Sequence, residues 1–86
     1  MQLHHPTTKI YYSLSENGFV TIKVFDILGK EAATLVNQKQ NTGNYSVEFN
    51  GSNLSSGVYY YRLVVSEANP QESGNNFEIK KMILIK

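Results

Sequence analysis

Apolar and polar residues alternate with a period of two along most of the chain. Ile10, Tyr12 and Leu14 are interleaved with Lys9, Tyr11 and Ser13, and Val20, Ile22 and Val24 with Thr21, Lys23 and Phe25. Tyr45, Val47 and Phe49 alternate with Ser46 and Glu48, and Tyr59, Tyr61, Leu63 and Val65 with Tyr60, Arg62 and Val64. Successive side chains of a strand point to opposite faces, so each series predicts a strand with one buried and one outward face. β-Branched and aromatic residues dominate these runs, as a pleated, half-buried surface favours. Decent helix formers gather only in Glu31–Gln40, and there Ala33 and Leu35 alternate with Thr34 and Val36. That segment reads as a short strand running into a polar loop over 37–44.

Turn residues separate the runs. Glu16, Asn17 and Gly18 link the first two strands, with Asn and Gly both able to take positive φ. In the turn over 26–30, Asp26 is placed to accept from backbone amides two residues on, and Gly29 to take the left-handed position. A Gly/Ser/Asn stretch over 51–57 joins the next pair of strands. The longest polar loop spans 66–76 and contains Pro70 and Gly74. About seven short strands with turns between them predict an all-β fold, a β-sandwich with Greek-key connections. One pattern occurs twice: Gly43-x-Tyr45 and Gly57-x-Tyr59, each followed by alternating apolar positions. Each glycine gives a freely bent start to a strand, and each tyrosine is the first inward residue, its hydroxyl reaching the rim of the core.

Composition narrows the function. With 86 residues the chain makes one domain, and residues 1–5 read as a remnant of a linker or cloning junction. A domain of this size has few residues to spare for a deep pocket. A net charge of +1 favours neither nucleic acid nor an anionic membrane as partner. No apolar run approaches the roughly 20 residues of a membrane span. Cysteine is absent, which excludes disulfides and thiolate metal sites. His4 and His5 stand together near the start and make no metal site without further ligands. The acids Glu16, Asp26, Glu31, Glu48, Glu67, Glu72 and Glu78 are scattered, and no nucleophile–base pairing stands out, so no catalytic residue, metal or cofactor is expected. Two features admit a binding role. Outward Tyr11, Phe25 and Tyr60 would suit stacking on sugar rings, although cross-strand aromatic pairs also stabilise sheets. The Asn-x-Ser triplets at Asn44, Asn50 and Asn53 reflect turn composition.

Several segments together resemble the C-terminal sorting domains of the type IX (Por) secretion system. They are residues 6–14 (PTTKIYYSL) followed by Glu16-Asn17-Gly18, residues 20–30 (VTIKVFDILGK), Gly43-Asn44-Tyr45, residues 54–63 (LSSGVYYYRL) and the closing residues 80–86 (KKMILIK). The resemblance covers residues 6–86 and rests on order, spacing and position more than on any one motif. It implies an immunoglobulin-like sandwich of about seven antiparallel strands. It also implies a non-catalytic address: such domains lie at the end of large exported proteins and are read by an outer-membrane translocon. They are commonly removed by a sortase-like peptidase as the cargo is attached to the cell surface or released. The partners implied are the translocon and sortase components and the cargo domains of the same polypeptide, with transit through the periplasm. Related modules occur in flagellar hook-capping proteins, so a structural or carbohydrate-binding accessory role in an extracellular enzyme or flagellar scaffold is the alternative.

The chain departs from the family's pattern in places. Leu3-His4-His5 replaces the frequent Asn-Pro-Phe-Asn, Ser15 and Ser55 stand where proline is frequent, and the segment over 67–76 is longer than usual. The closing run keeps the pattern, and the resemblance assigns translocon recognition to Lys80, Lys81, Met82, Ile83, Leu84, Ile85 and Lys86. This run is expected to be a strand, with Met82 and Leu84 on one side and Ile83 and Ile85 on the other. Phe77 and Ile79 are in the opposite phase to Met82, which predicts a bulge near Lys80-Lys81. Asp26, Gly29, Gly43, Tyr45, Gly57 and Tyr59 are expected to be structural, shaping turns and strand starts. Open sheet edges would allow a strand-paired dimer.

Overall fold

The structure is a computed structural model that describes residues 2–3, 7–67 and 76–85. His4, His5, residues 68–75 of the expected polar loop and Lys86 lie outside the described residues. The strands are β1 (Gln2–Leu3), β2 (Thr7–Leu14), β3 (Gly18–Asp26), β4 (Glu31–Gln40), β5 (Gly43–Asn50), β6 (Gly57–Glu67) and β7 (Asn76–Leu84). They form a five-stranded sheet ordered β1-β7-β6-β3-β4 and a two-stranded sheet β2-β5. The chain changes sheet between β1 and β2, between β2 and β3, between β4 and β5, and between β5 and β6, crossings of the kind a Greek-key sandwich requires. All pairings are antiparallel except the short β1–β7 contact, in which Gln2 faces Ile83 and Leu3 faces Leu84 in parallel. This is the expected Ig-like β-sandwich, with six strands of eight to eleven residues and one two-residue segment.

The core lies between the sheets and follows the alternation. Ile10, Tyr12, Leu14 and Phe49 from the small sheet meet Val20, Ile22, Val24, Val36, Tyr59, Tyr61, Met82 and Leu84 from the large one. Burying side chains of this size contributes about 1.5–3 kcal/mol each before conformational entropy is counted. The Tyr12 and Tyr45 rings stack with centroids 5.4 Å apart, and the Tyr12 hydroxyl donates to Gln40 Oε1 at 2.7 Å, tying β2 to β4. Burial pushes the Tyr12 hydroxyl pKa up, partly offset by that bond.

Three local expectations are corrected. β4 continues to Gln40, so only Asn41 and Thr42 lie between β4 and β5 where a loop over 37–44 was expected. Its pairing with β3 slips twice, between Ile22 and Lys23 and between Val24 and Phe25. Leu35 and Ala32 are the unpaired extra residues, which is why both Ala33 and Val36 reach the core. In the link over 15–17, Asn17 works through its side chain, its Oδ1 accepting from the Thr42 amide at 2.8 Å, and neither Asn17 nor Gly18 has positive φ. Gly18 is required for close approach: a Cβ there would stand 2.8 Å from the Ser66 carbonyl oxygen on β6. Finally, β7 carries no bulge. Its register against β6 runs unbroken from Gly57↔Leu84 to Val65↔Asn76.

Candidate functional site at the closing strand

The unbroken register of β7 fixes what each residue does. Met82 and Leu84 point into the core at 0% and 1% exposure, while Ile83 and Ile85 face outward, as expected. Continuing the alternation puts Lys80 and Glu78 on the inner side of the sheet and Ile79, 55% exposed, on the outer side. The inner side tolerates charge there because the small sheet has only two strands and leaves this half of β7 in water. Lys80 Nζ pairs with Glu78 Oε1 at 3.0 Å, which together with Tyr61 raises the Lys80 pKa. Such an exposed pair adds little stability. Lys80, Lys81, Ile83 and Ile85 are therefore displayed on a strand anchored by Met82 and Leu84. Beyond β1, which covers only Ile83 and Leu84, the outer edge of β7 has no partner strand among the described residues.

The turn over 26–30 projects past the same end of the large sheet. Asp26 is opposite Tyr59, and Tyr59 is opposite Met82, so the hairpin tip lies two strands from the end of β7, about 10 Å away. Asp26 Oδ1 accepts from the Leu28 and Lys30 amides, both at 2.9 Å, and Gly29 has φ of 85°. The Asp26 backbone also bonds to Lys30 and Gly29. These bonds and the left-handed glycine fix the backbone of the turn. The tip holds two aliphatic side chains in water, Ile27 at 63% and Leu28 at 89% exposure. Sequence reasoning missed these residues. The signal was available: two adjacent aliphatics occupy turn positions where Gly, Asn, Asp and Ser usually stand.

The two Gly-x-Tyr motifs form the same device twice. Gly43 and Gly57 have φ of 151° and 158°. Two residues on, Tyr45 donates its hydroxyl to the Asn41 carbonyl at 2.6 Å, and Tyr59 to the Ser55 carbonyl at 2.7 Å. Each tyrosine ties its strand back to the connection four residues earlier, as tyrosine corners do in Ig-like domains.

The aromatic residues do not assemble a sugar platform. Tyr11 lies on the outer face of the small sheet and Tyr60 on the outer face of the large one, separated by the core. Phe25, beside Tyr60, is covered by the Arg62 guanidinium at 4.9 Å. Among the described residues no group of three or more His, Cys, Asp or Glu is placed to hold a metal ion, and no helix is long and apolar enough to cross a membrane.

Comparison with known families matches residues 6–85 to the secretion system C-terminal sorting domain. No curated protein and no solved structure matches the chain.

Proposed function

The chain belongs to the secretion system C-terminal sorting domain family, and from that premise we propose that its closing strand is the part the type IX translocon reads. A domain of this family marks the protein that carries it for secretion, to the cell surface or for release, and is not itself a catalyst. The finer reading is that residues 80–86 are recognised at the outer membrane after periplasmic transit. Sortase components of the machinery then act on the cargo part of the same polypeptide.

The observation that carries this reading is the division of labour along β7. Met82 and Leu84 are buried and hold the strand, while Lys81 and Ile83 stand on its outer face at a spacing the sheet fixes, Lys80 is solvated on the inner side and exposed Ile85 follows directly. A receptor therefore meets a preorganised strand and loses less entropy in binding than it would on a free tail.

The test separates recognition from folding. In the protein as its own host makes it, removal of residues 80–86 should leave the protein in the periplasm. Because that deletion also strips Met82 and Leu84 from the core, Lys81→Glu combined with Ile85→Asp is the sharper variant. It should block surface delivery while the purified chain keeps its melting temperature. Normal delivery of both variants would end the proposal.

A further inference from the structure

The two outer faces of the sandwich differ in character. That of the small sheet is polar, with Lys9, Ser13, Ser46 and Glu48 outward and Tyr11 as its one large apolar member among the described residues. That of the large sheet is apolar toward the end where β7 closes. Cross-strand register sets Phe25 beside Tyr60 and Val58 beside Ile83, and exposed Ile85 and the exposed Ile27–Leu28 tip lie beyond the last paired residues at the same end of the sheet. Ile27, Leu28, Ile79, Ile83 and Ile85 are five of the seven large hydrophobic side chains exposed among the described residues, and all belong to this sheet or its hairpin. A solvated face of an antiparallel sheet is normally polar, and contiguous apolar patches on it mark interaction sites.

We propose that the address is composite: the Ile27–Leu28 turn and the outward residues of the closing strand form one docking surface for a receptor protein of the export machinery. This deepens the reading of β7 given above and rests on it. The surface comprises Ile27, Leu28, Val58, Tyr60, Ile83 and Ile85. Lys23, Lys39, Arg62 and Lys81 share the same face against one acid that register brings to it, Glu31, which pairs with Lys23 Nζ at 2.9 Å, so cations outnumber acids there. The complementary partner is an apolar surface bordered by carboxylates. A second copy of this chain is a poor occupant, since like faces would bring Lys23, Arg62 and Lys81 against their own counterparts. A membrane is also a poor one: the face carries four cations, one of them paired with Glu31, on a chain of net charge +1, too few for stable attachment to anionic lipid. The turn is suited to recognition because Asp26 and Gly29 fix its backbone, so its two side chains are presented without an ordering cost.

The experiment uses the protein in its own host. The double variant Ile27→Asp/Leu28→Asp should reduce surface delivery at least about tenfold, the loss expected when aliphatic anchors are withheld from an interface. Ile27→Leu/Leu28→Met, which returns an aliphatic side chain to both positions, should restore it, and Tyr11→Asp, a charge placed on the opposite face, should leave it unchanged. The melting temperature of the purified double variant should match that of the parent. Normal delivery of the double variant, or equal losses from it and Tyr11→Asp, would overturn the proposal. So would cosedimentation of the purified chain with vesicles of phosphatidylcholine and phosphatidylglycerol at 3:1 that Leu28→Asp abolishes, since the occupant would then be lipid. The deletion of residues 80–86, run in parallel, separates the two proposals. Retention of the deletion with delivery of Ile27→Asp/Leu28→Asp rejects only the composite surface, whereas delivery of the deletion rejects the reading of β7 itself.

Discussion

Replacing Met82 by alanine tests the phase of the closing strand. Met82 is fully buried opposite Tyr59, two residues from buried Leu84. Losing its apolar surface removes about 1.5–3 kcal/mol of transfer free energy, and an unrelaxed cavity raises the cost toward about 5 kcal/mol. β7 lies near the sheet edge and has room to relax, which places the expected loss at about 2–4 kcal/mol. For an 86-residue domain the whole stability is on the order of 4–13 kcal/mol. Ile79→Ala is the internal control. It removes a side chain of similar size three residues away in the same strand, but one that is 55% exposed, so its cost should stay below about 1 kcal/mol. Urea unfolding followed by far-ultraviolet circular dichroism or by tyrosine fluorescence reads both, since the chain has six tyrosines and no tryptophan. With a slope of about 1–1.5 kcal/mol/M, Met82→Ala should lower the midpoint by about 1.3–4 M and Ile79→Ala by less than about 1 M. Equal losses, or a larger one from Ile79→Ala, would refute the unbroken register and restore the bulge near Lys80-Lys81.

Two further outcomes follow from the tyrosines. Tyr59→Phe, which leaves the Ser55 carbonyl without its donor in a part-buried setting, should cost about 1–2 kcal/mol in urea unfolding, and Tyr45→Phe, on the exposed Asn41 carbonyl, less. Burial raises the pKa of Tyr12 and Tyr61 above the ordinary 10.0, so the folded state favours their neutral forms. That preference is fully present below pH 10 and is lost as pH rises through the folded values; thermal melts should therefore fall away above pH 10, and by less in Tyr12→Phe.

Much of the fold was legible because the period of two survives wherever a strand faces a complete opposing layer. β2, β3, β5 and the first half of β6 keep it, and their inward residues form the core. β4 resisted because the two unpaired residues, Ala32 and Leu35, shift its phase, and nothing in Glu31–Gln40 announces a slip. The first half of β7 misled for a different reason. The phase of Phe77 and Ile79 predicted a bulge because apolar residues usually face inward, but the small sheet does not extend over that region, so the inner side takes Glu78 and Lys80. How many strands each layer receives is a property of topology, which local alternation does not encode. The same gap hid the separation of Tyr11 from Tyr60, two outward aromatics whose faces diverge once β2 and β6 enter different sheets. At the candidate site, the anchoring of Met82 and Leu84 was readable from the closing run itself. The nearness of Ile27 and Leu28 was not, because it arises from the β3–β6–β7 register, across more than fifty positions of sequence.

The placement of Leu84 and Met82 at the last two inward positions of β7 has a mechanical consequence. A force drawing on the carboxyl end detaches the strand from β6 pair by pair, beginning at Leu84↔Gly57. The first steps uncover the two deepest side chains, about 2 kcal/mol apiece, and later ones uncover the already wetted Lys80 and Glu78. Resistance is thus concentrated at the outset, so the strand behaves as a latch with a threshold: weak tugging leaves it shut, and a pull strong enough to free Met82 meets little further opposition.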